Sequence, residues 1–180
     1  MAEFPREVAY LVSLVLVEAA VIDGRSLRVP NWLTYHFALG GWAFAYWTGG
    51  GPHLAWSLAG AAVGLVSLMP LYAIGGMGAG DVKLMAGVGA WIGPACTGWA
   101  FLATAMVGGL MGLVMMAASG ELLRHLLMTR EIGREVLVVR DPVALSRRAA
   151  ERKPSMMLLP YGIPIAFGTI GYLAWAGYLR

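Results

Sequence analysis

Three carboxylates stand out in an otherwise apolar chain: Glu18, Asp23 and Asp81 lie in or at the edge of long hydrophobic runs. An acid in hydrocarbon is costly enough to be a functional hypothesis by default. Asp23 closes one run and leads into a short segment from Gly24 to Asn31. At a helix carboxyl end its charge opposes the macrodipole, so capping does not account for it, whereas pairing with Arg25 or Arg28 would. Asp81 follows Gly75, Gly76, Met77, Gly78, Ala79 and Gly80 and precedes another apolar run, a place where an aspartate caps a helix. Four glycines in those six residues exceed what one cap needs. They let another chain come very close, or give the backbone dihedrals closed to other residues.

Two carboxylates that meet can share a proton, one acting as general base on a water and the other as acid toward a carbonyl oxygen, which is the chemistry of aspartic proteases. It calls for no cofactor, metal or thiol. Cys96 is the single cysteine, which excludes an intrachain disulfide and a four-cysteine zinc site. His36, His53 and His125 fall in three separate environments, so no metal site is expected. Glu18 lies five residues before Asp23, turned about 140° around the helix, and is expected to make a structural hydrogen bond inside the bundle.

The elements that must position these acids follow from composition. Of 180 residues, 59% are hydrophobic and 13% charged. An ordinary soluble domain is about one quarter charged, so that class is excluded. A spanning helix takes about 20 apolar residues. Breaking the apolar runs at Gly, Pro and charge clusters predicts spans at Val8 to Ile22, Trp32 to Trp47, Leu54 to Tyr72, Val82 to Ile92, Ala95 to Ser119 and Tyr161 to Tyr178. The expected fold is an all-α membrane protein, a polytopic bundle of about six transmembrane helices in a single domain over 1–180. The alternation of a membrane barrel is absent. Arg6 is balanced by Glu3 and Glu7, unlike the positive start of an export signal, so the first run is expected to be a retained span.

With six spans, eleven of the 13 basic residues fall on one side, leaving Arg6 and Arg180 on the other. Lys and Arg are retained in the cytoplasm, so both termini are expected outside and Asp23 and Asp81 at the cytoplasmic face. Trp47, Trp56, Trp91, Trp99 and Trp175 then fall near the outer interface, as an aromatic belt does. The run from Val82 to Pro94 spans only about 20 Å, which sinks Asp81 below the membrane surface. Gly60 with Gly64, Gly89 with Gly93, and Gly108 with Gly112 are each four apart, on faces where helices can pack closely. A basic cytoplasmic segment at about 120–156 mixes leucine with arginine and suits either a helix on the membrane surface or a solvated connector.

Asp23, Gly24 and Arg25 with Pro30 and Asn31, followed about fifty residues later by Gly78, Ala79, Gly80, Asp81, Val82, Lys83 and Leu84, resemble the type IV prepilin peptidases, the G-x-G-D membrane aspartic proteases. The resemblance runs to about Pro94, with a weaker echo at Pro160, Tyr161, Gly162, Ile163 and Pro164. It implies catalytic aspartates at Asp23 and Asp81, with Gly78, Gly80, Lys83, Pro30 and Asn31 binding substrate or shaping the site. Lys83 would attract substrate or tune the acids; snorkelling to the interface explains it equally well. The implied activity is removal of the basic leader from prepilin-like substrates at the cytoplasmic edge of the bacterial inner membrane. Expected partners are the prepilin-like substrate and the lipid bilayer, with no nucleic acid. Larger members also methylate the new amino terminus and carry an added region with paired cysteines. Here seven residues precede the first span and Cys96 is alone, so the chain resembles the small tight-adherence (Flp) pilus type. The rival readings are a proton- or cation-coupled transporter and a non-catalytic scaffold of a secretion or pilus machine. No internal repeat supports the former, and the latter has no need of two converging acids.

Overall fold

The computed structural model describes residues 4–73, 76–118 and 159–180. The basic segment expected at about 120–156 lies outside the described residues. Among the described residues four helices form: α1 (Arg6–Ser26), α2 (Asn31–Ala73), α3 (Ala79–Ala118) and α4 (Gly162–Trp175). No strand occurs among the described residues. Helices α2 and α3 are long and apolar enough to cross a membrane.

Both long helices are interrupted by a glycine. Gly50 has φ 63° and ψ −148°, and Gly93 has φ 73° and ψ 176°, backbone conformations that side-chain-bearing residues rarely adopt. The chain reverses at each. On a continuous helix Gly41 and Gly60 would stand about 28 Å apart, yet they pack against the adjacent residues Ala90 and Gly89 of α3. Tyr161 likewise lies within electrostatic range of Asp81 and in contact range of Gly108, which come from opposite sides of Gly93. Helices α2 and α3 are therefore each a helical hairpin. The two reversals fall in the gaps that the sequence opens between Trp47 and Leu54 and between Ile92 and Ala95.

The hairpins interlock through glycine. A Cβ on Gly60 would overlap the Gly89 carbonyl, one on Gly89 would overlap the Gly60 carbonyl, and one on Gly64 would overlap Met85. Buried Ser57 secures the same contact by donating its hydroxyl to the Ala90 carbonyl. Leu16, Leu68, Leu84, Met85, Ile165 and Leu173 fill the surrounding core.

Several expectations need correction. Helix α1 continues past Ile22 to Ser26, ending when Leu27 turns left-handed (φ 51°) and donates its N–H to the Asp23 carbonyl at 2.7 Å. Helix α4 is shorter than the run Tyr161 to Tyr178, because the chain leaves it before Gly177 (φ 83°). Gly89 and Gly93 do share a packing face, since a Cβ on Gly60 would crowd both the Gly89 carbonyl and the Gly93 Cα, but Gly93 is also the reversal, covered by Trp56. Among the described residues Gly112 has no neighbour within 4 Å of a Cβ, whereas Gly108 packs against Tyr161 and Pro164. Glu18 is exposed instead of hydrogen-bonded inside the bundle. Trp47, Trp99 and Trp175 are exposed, whereas Trp91 turns inward and donates its indole N–H to the Phe37 carbonyl at 2.8 Å.

Forcing a large side chain into a close backbone contact costs about 1–3 kcal/mol or more. Gly60→Leu should accordingly lower the thermal midpoint in detergent by several degrees or prevent folding, while Gly112→Leu should leave it unchanged. Equal midpoints for the two variants would refute the glycine contact between the hairpins.

Candidate active site

Asp23 and Asp81 are 2% and 5% exposed, and both line one cavity of about 580 Å³. Its remaining walls come from Ile22 and Ser26 of α1, residues 27–31 leading into α2, residues 77–80 leading into α3, and Leu159. Two carboxylates distant in sequence thus face a common space.

Each is aimed by a backbone N–H at a helix amino end. Asp81 sits in the first turn of α3, and its Oδ2 accepts the N–H of Gly78 at 3.1 Å. This is the return arm of a capping box, in which the third helical residue reaches back to the cap. Asp81 is thus not the cap that the sequence suggests, because α3 begins at Ala79; it is the third helical residue, reaching back to the cap position at Gly78, and it stays on the cavity wall. Asp23 lies one turn from the carboxyl end of α1, where the dipole disfavours an anion. Its Oδ2 accepts the N–H of Gly162, the first residue of α4, at 2.8 Å. Helix amino ends carry unsatisfied N–H groups and partial positive charge, so α4 supplies what α1 withholds. Among the described residues Asp23 makes no ion pair with Arg25 or Arg28, both of which are exposed.

The glycines are explained by what they touch. A Cβ on Gly162 would stand 2.8 Å from the Asp23 Cβ and 3.0 Å from its Oδ2. A Cβ on Gly80 would stand 2.6 Å from the Val29 carbonyl oxygen, so this glycine lets α3 start directly against the 27–31 connection. Gly78 presents its N–H to Asp81 from the cavity wall. Pro30 and Asn31 line the same wall and begin α2. Lys83 is not on it: its Nζ donates to Asn31 Oδ1 at 3.0 Å and to the Tyr35 hydroxyl at 3.1 Å, and lies 4.8 Å from the Tyr35 ring centroid. That places Lys83 as a brace between the start of α2 and the first turn of α3.

Sequence reasoning missed Gly162 and Tyr161 as members of the site and Tyr35 as the partner of Lys83. The signal for the first two was the short run from Pro160 to Pro164, where a glycine falls between prolines. Among the described residues no group of three or more His, Cys, Asp or Glu is arranged to hold a metal.

A helical bundle with two buried acids on one cavity is suited to acid–base hydrolysis without further groups. A sequence profile of the type IV leader peptidase family matches residues 10–114, a stretch that includes both acids, and the chain belongs to that family. It is 35% identical over 112 residues to the prepilin leader peptidase/N-methyltransferase of Aeromonas hydrophila, an alignment covering 58% of this chain and 38% of that protein. It is 34% identical over 112 residues to the protein of the same description in Aeromonas salmonicida strain A449, with the same coverage of each chain. The chain thus aligns with well under half the length of these relatives. No solved structure matches it.

Displacing a catalytic group by about 1 Å can cost about 10²-fold in rate. With Asp23 as a catalytic group, as proposed below, Gly162→Ala, which pushes on it, should slow peptide cleavage by about that factor with little change in KM. Gly24→Ala, whose Cβ would make only an ordinary 3.5 Å contact with Ile163, should cut near the parental rate. Full activity in Gly162→Ala would remove Gly162 from the site.

Proposed function

We propose that this chain is an aspartic endopeptidase that removes the leader peptide from prepilin-like substrates, with Asp23 and Asp81 as its catalytic pair. The observation that carries this reading is the shared cavity lined by two buried carboxylates, each oriented by a backbone N–H. One acid takes a proton from a water held between them while the other gives its proton to the scissile carbonyl oxygen, producing a tetrahedral diol. Return of a proton to the amide nitrogen then breaks the C–N bond and frees the leader. Gly78, Gly80, Pro30 and Asn31 shape the cavity, and Lys83 fixes their spacing through Asn31.

The names of the Aeromonas relatives support a prepilin substrate, and the family supports a bacterial inner-membrane location. In our reading the six apolar runs all span, the cavity faces the cytoplasm and both termini lie outside. The reversals at Gly50 and Gly93 do not favour a transporter, because they join antiparallel helices away from the acids and do not expose broken helix ends to them.

Co-expression with a candidate prepilin, followed by mass measurement, tests the activity. The parent chain should shorten the prepilin by its leader, and Asp23→Asn and Asp81→Asn should each abolish the change while remaining folded in the membrane. Processing at near the parental rate by either variant would refute the pair. Orientation is tested separately by reporter fusions: those after Arg28, Lys83 and Arg140 should read as cytoplasmic, and those near Gly50 or at Arg180 as external. A cytoplasmic carboxyl terminus would overturn the six-span arrangement.

A further inference from the structure

A separate cavity of about 390 Å³ lies at the other end of the bundle and shares no lining residue with the cavity of the acids. Helices α2 and α4 both start at the acids, because Asn31 lines their cavity and Gly162 binds Asp23. Thr48, on the wall of the separate cavity, stands about 26 Å along α2 from Asn31. That distance is close to the hydrocarbon thickness of a bilayer, about 30 Å, so this cavity lies at the level of the opposite headgroups. Exposed Trp47 and Trp175, each toward the far end of a helical run that starts at the acids, mark the same level as an aromatic belt does. The described residues that flank the 119–158 stretch stand at the acid end: Leu159 lines the catalytic cavity, and Ala118 ends the half of α3 that runs past Gly108 and Tyr161.

The walls of this cavity are aromatic, and each ring is already held. Phe4 stacks on Tyr178 with ring centroids 4.4 Å apart, and Phe44 lies tilted against Trp91 at 5.5 Å. Trp91 is fixed by its bond to the Phe37 carbonyl, and Trp56 by its seat over the Gly93 reversal. Rings ordered beforehand give up little freedom when a ligand meets them. His53 is the ionisable member of the wall among the described residues, which include no Lys, Arg, Asp or Glu there. A Cβ on Gly49 would overlap the His53 ring, so the glycine lets the imidazole fold back over the reversal. Thr48 spends its hydroxyl on the Phe44 carbonyl at 2.9 Å.

We propose that this cavity holds the headgroup of a net-neutral, ammonium-bearing phospholipid, of the phosphatidylethanolamine class, from the leaflet opposite the acids. Ring faces attract an ammonium group without any acidic side chain. The phosphate accepts the N–H that an imidazole carries in either protonation state. A wall with no fixed charge matches a headgroup whose own charges cancel, whereas phosphatidylglycerol offers the same phosphate and nothing cationic for the rings. The bound lipid touches Phe4 ahead of α1, the α2 reversal and Trp91 of α3, so it ties three segments together at this end and stabilises the bundle. The inference needs the bundle to lie in a bilayer and does not rest on the peptidase reading.

Native mass spectrometry of the full chain, released from nanodiscs of equal parts phosphatidylethanolamine and phosphatidylglycerol, tests this. One phosphatidylethanolamine should stay on each chain, preferred about tenfold over phosphatidylglycerol. His53→Leu and Phe44→Leu, both at exposed positions, should each lower that retention about tenfold, the worth of one hydrogen bond or cation–π contact out of water. Trp47→Leu, in the belt but off the cavity wall, should retain the lipid as the parent does. Added phosphatidylethanolamine should also raise the thermal midpoint of the parent in detergent and leave that of His53→Leu unmoved. Equal retention of the two lipids, parental retention in His53→Leu or in Phe44→Leu, or an equal loss in Trp47→Leu would overturn the site. A parent chain that keeps no lipid would overturn it too, the cavity then being filled by the chain itself. Leader cleavage is read in a separate assay, so failure of the peptidase reading leaves this result standing.

Discussion

The arrangement depends on bringing helix amino ends to carboxylates inside an apolar bundle. Removing a carboxylate from water costs several kcal/mol, and one hydrogen bond to a charged group contributes about 1.5–3 kcal/mol. The Gly162 N–H does not by itself hold Asp23 in place. Packing of α1 on α4, through buried residues such as Leu16 and Ile165, forces the acid inward, and the N–H decides where its oxygens point. Because Gly162 has no side chain, the amino end of α4 can approach that closely.

The second acid is placed by a different route with the same outcome. Asp81 is aimed by its own helix, through the Gly78 N–H, so its orientation is local. Its position relative to Asp23 is not local. It follows from the reversal of α2 at Gly50, from the glycine contacts that seat α2 on α3, and from Gly80 lying directly under the Val29 carbonyl. Lys83 ties the start of α2 to the first turn of α3 through Asn31 and Tyr35, so the connection that walls the cavity is held at both ends. The short spacing of glycine and acid along the chain thus serves two purposes: close backbone approach and fixed carboxylate direction.

Much of this was legible in the sequence because lipid imposes a simple rule on composition. The apolar runs and the interruptions around Gly50 and Gly93 mark where the described helices run and turn, and the two acids at run ends mark the cavity. What was not legible depends on tertiary neighbours. Leu27 ends α1 in a left-handed conformation that no glycine advertises, which is why Asp23 looked like the helix terminus. Gly89 with Gly93 and Gly108 with Gly112 carry the same four-residue spacing as Gly60 with Gly64, yet Gly93 is also a reversal and Gly112 meets no described residue, because spacing alone does not say what lies opposite. An acid on an apolar helix is expected to seek a partner in its own bundle, but periodicity does not tell which side of α1 the bundle covers, and Glu18 is exposed. Gly162 lies about 140 residues from Asp23, so the short run from Pro160 to Pro164 marks a turn but not the acid that the turn serves.

The central claim is that Asp23 and Asp81 act on one bound group as a unit. The most direct test is calorimetric binding of a leader-spanning peptide in which the scissile amide is replaced by a hydroxyethylene that mimics the tetrahedral intermediate. One molecule should bind per chain, with a loss of about 10²-fold or more in affinity for Asp23→Asn and for Asp81→Asn and little further loss in the double variant. Parental affinity in either single variant, or losses that add in full, would contradict it.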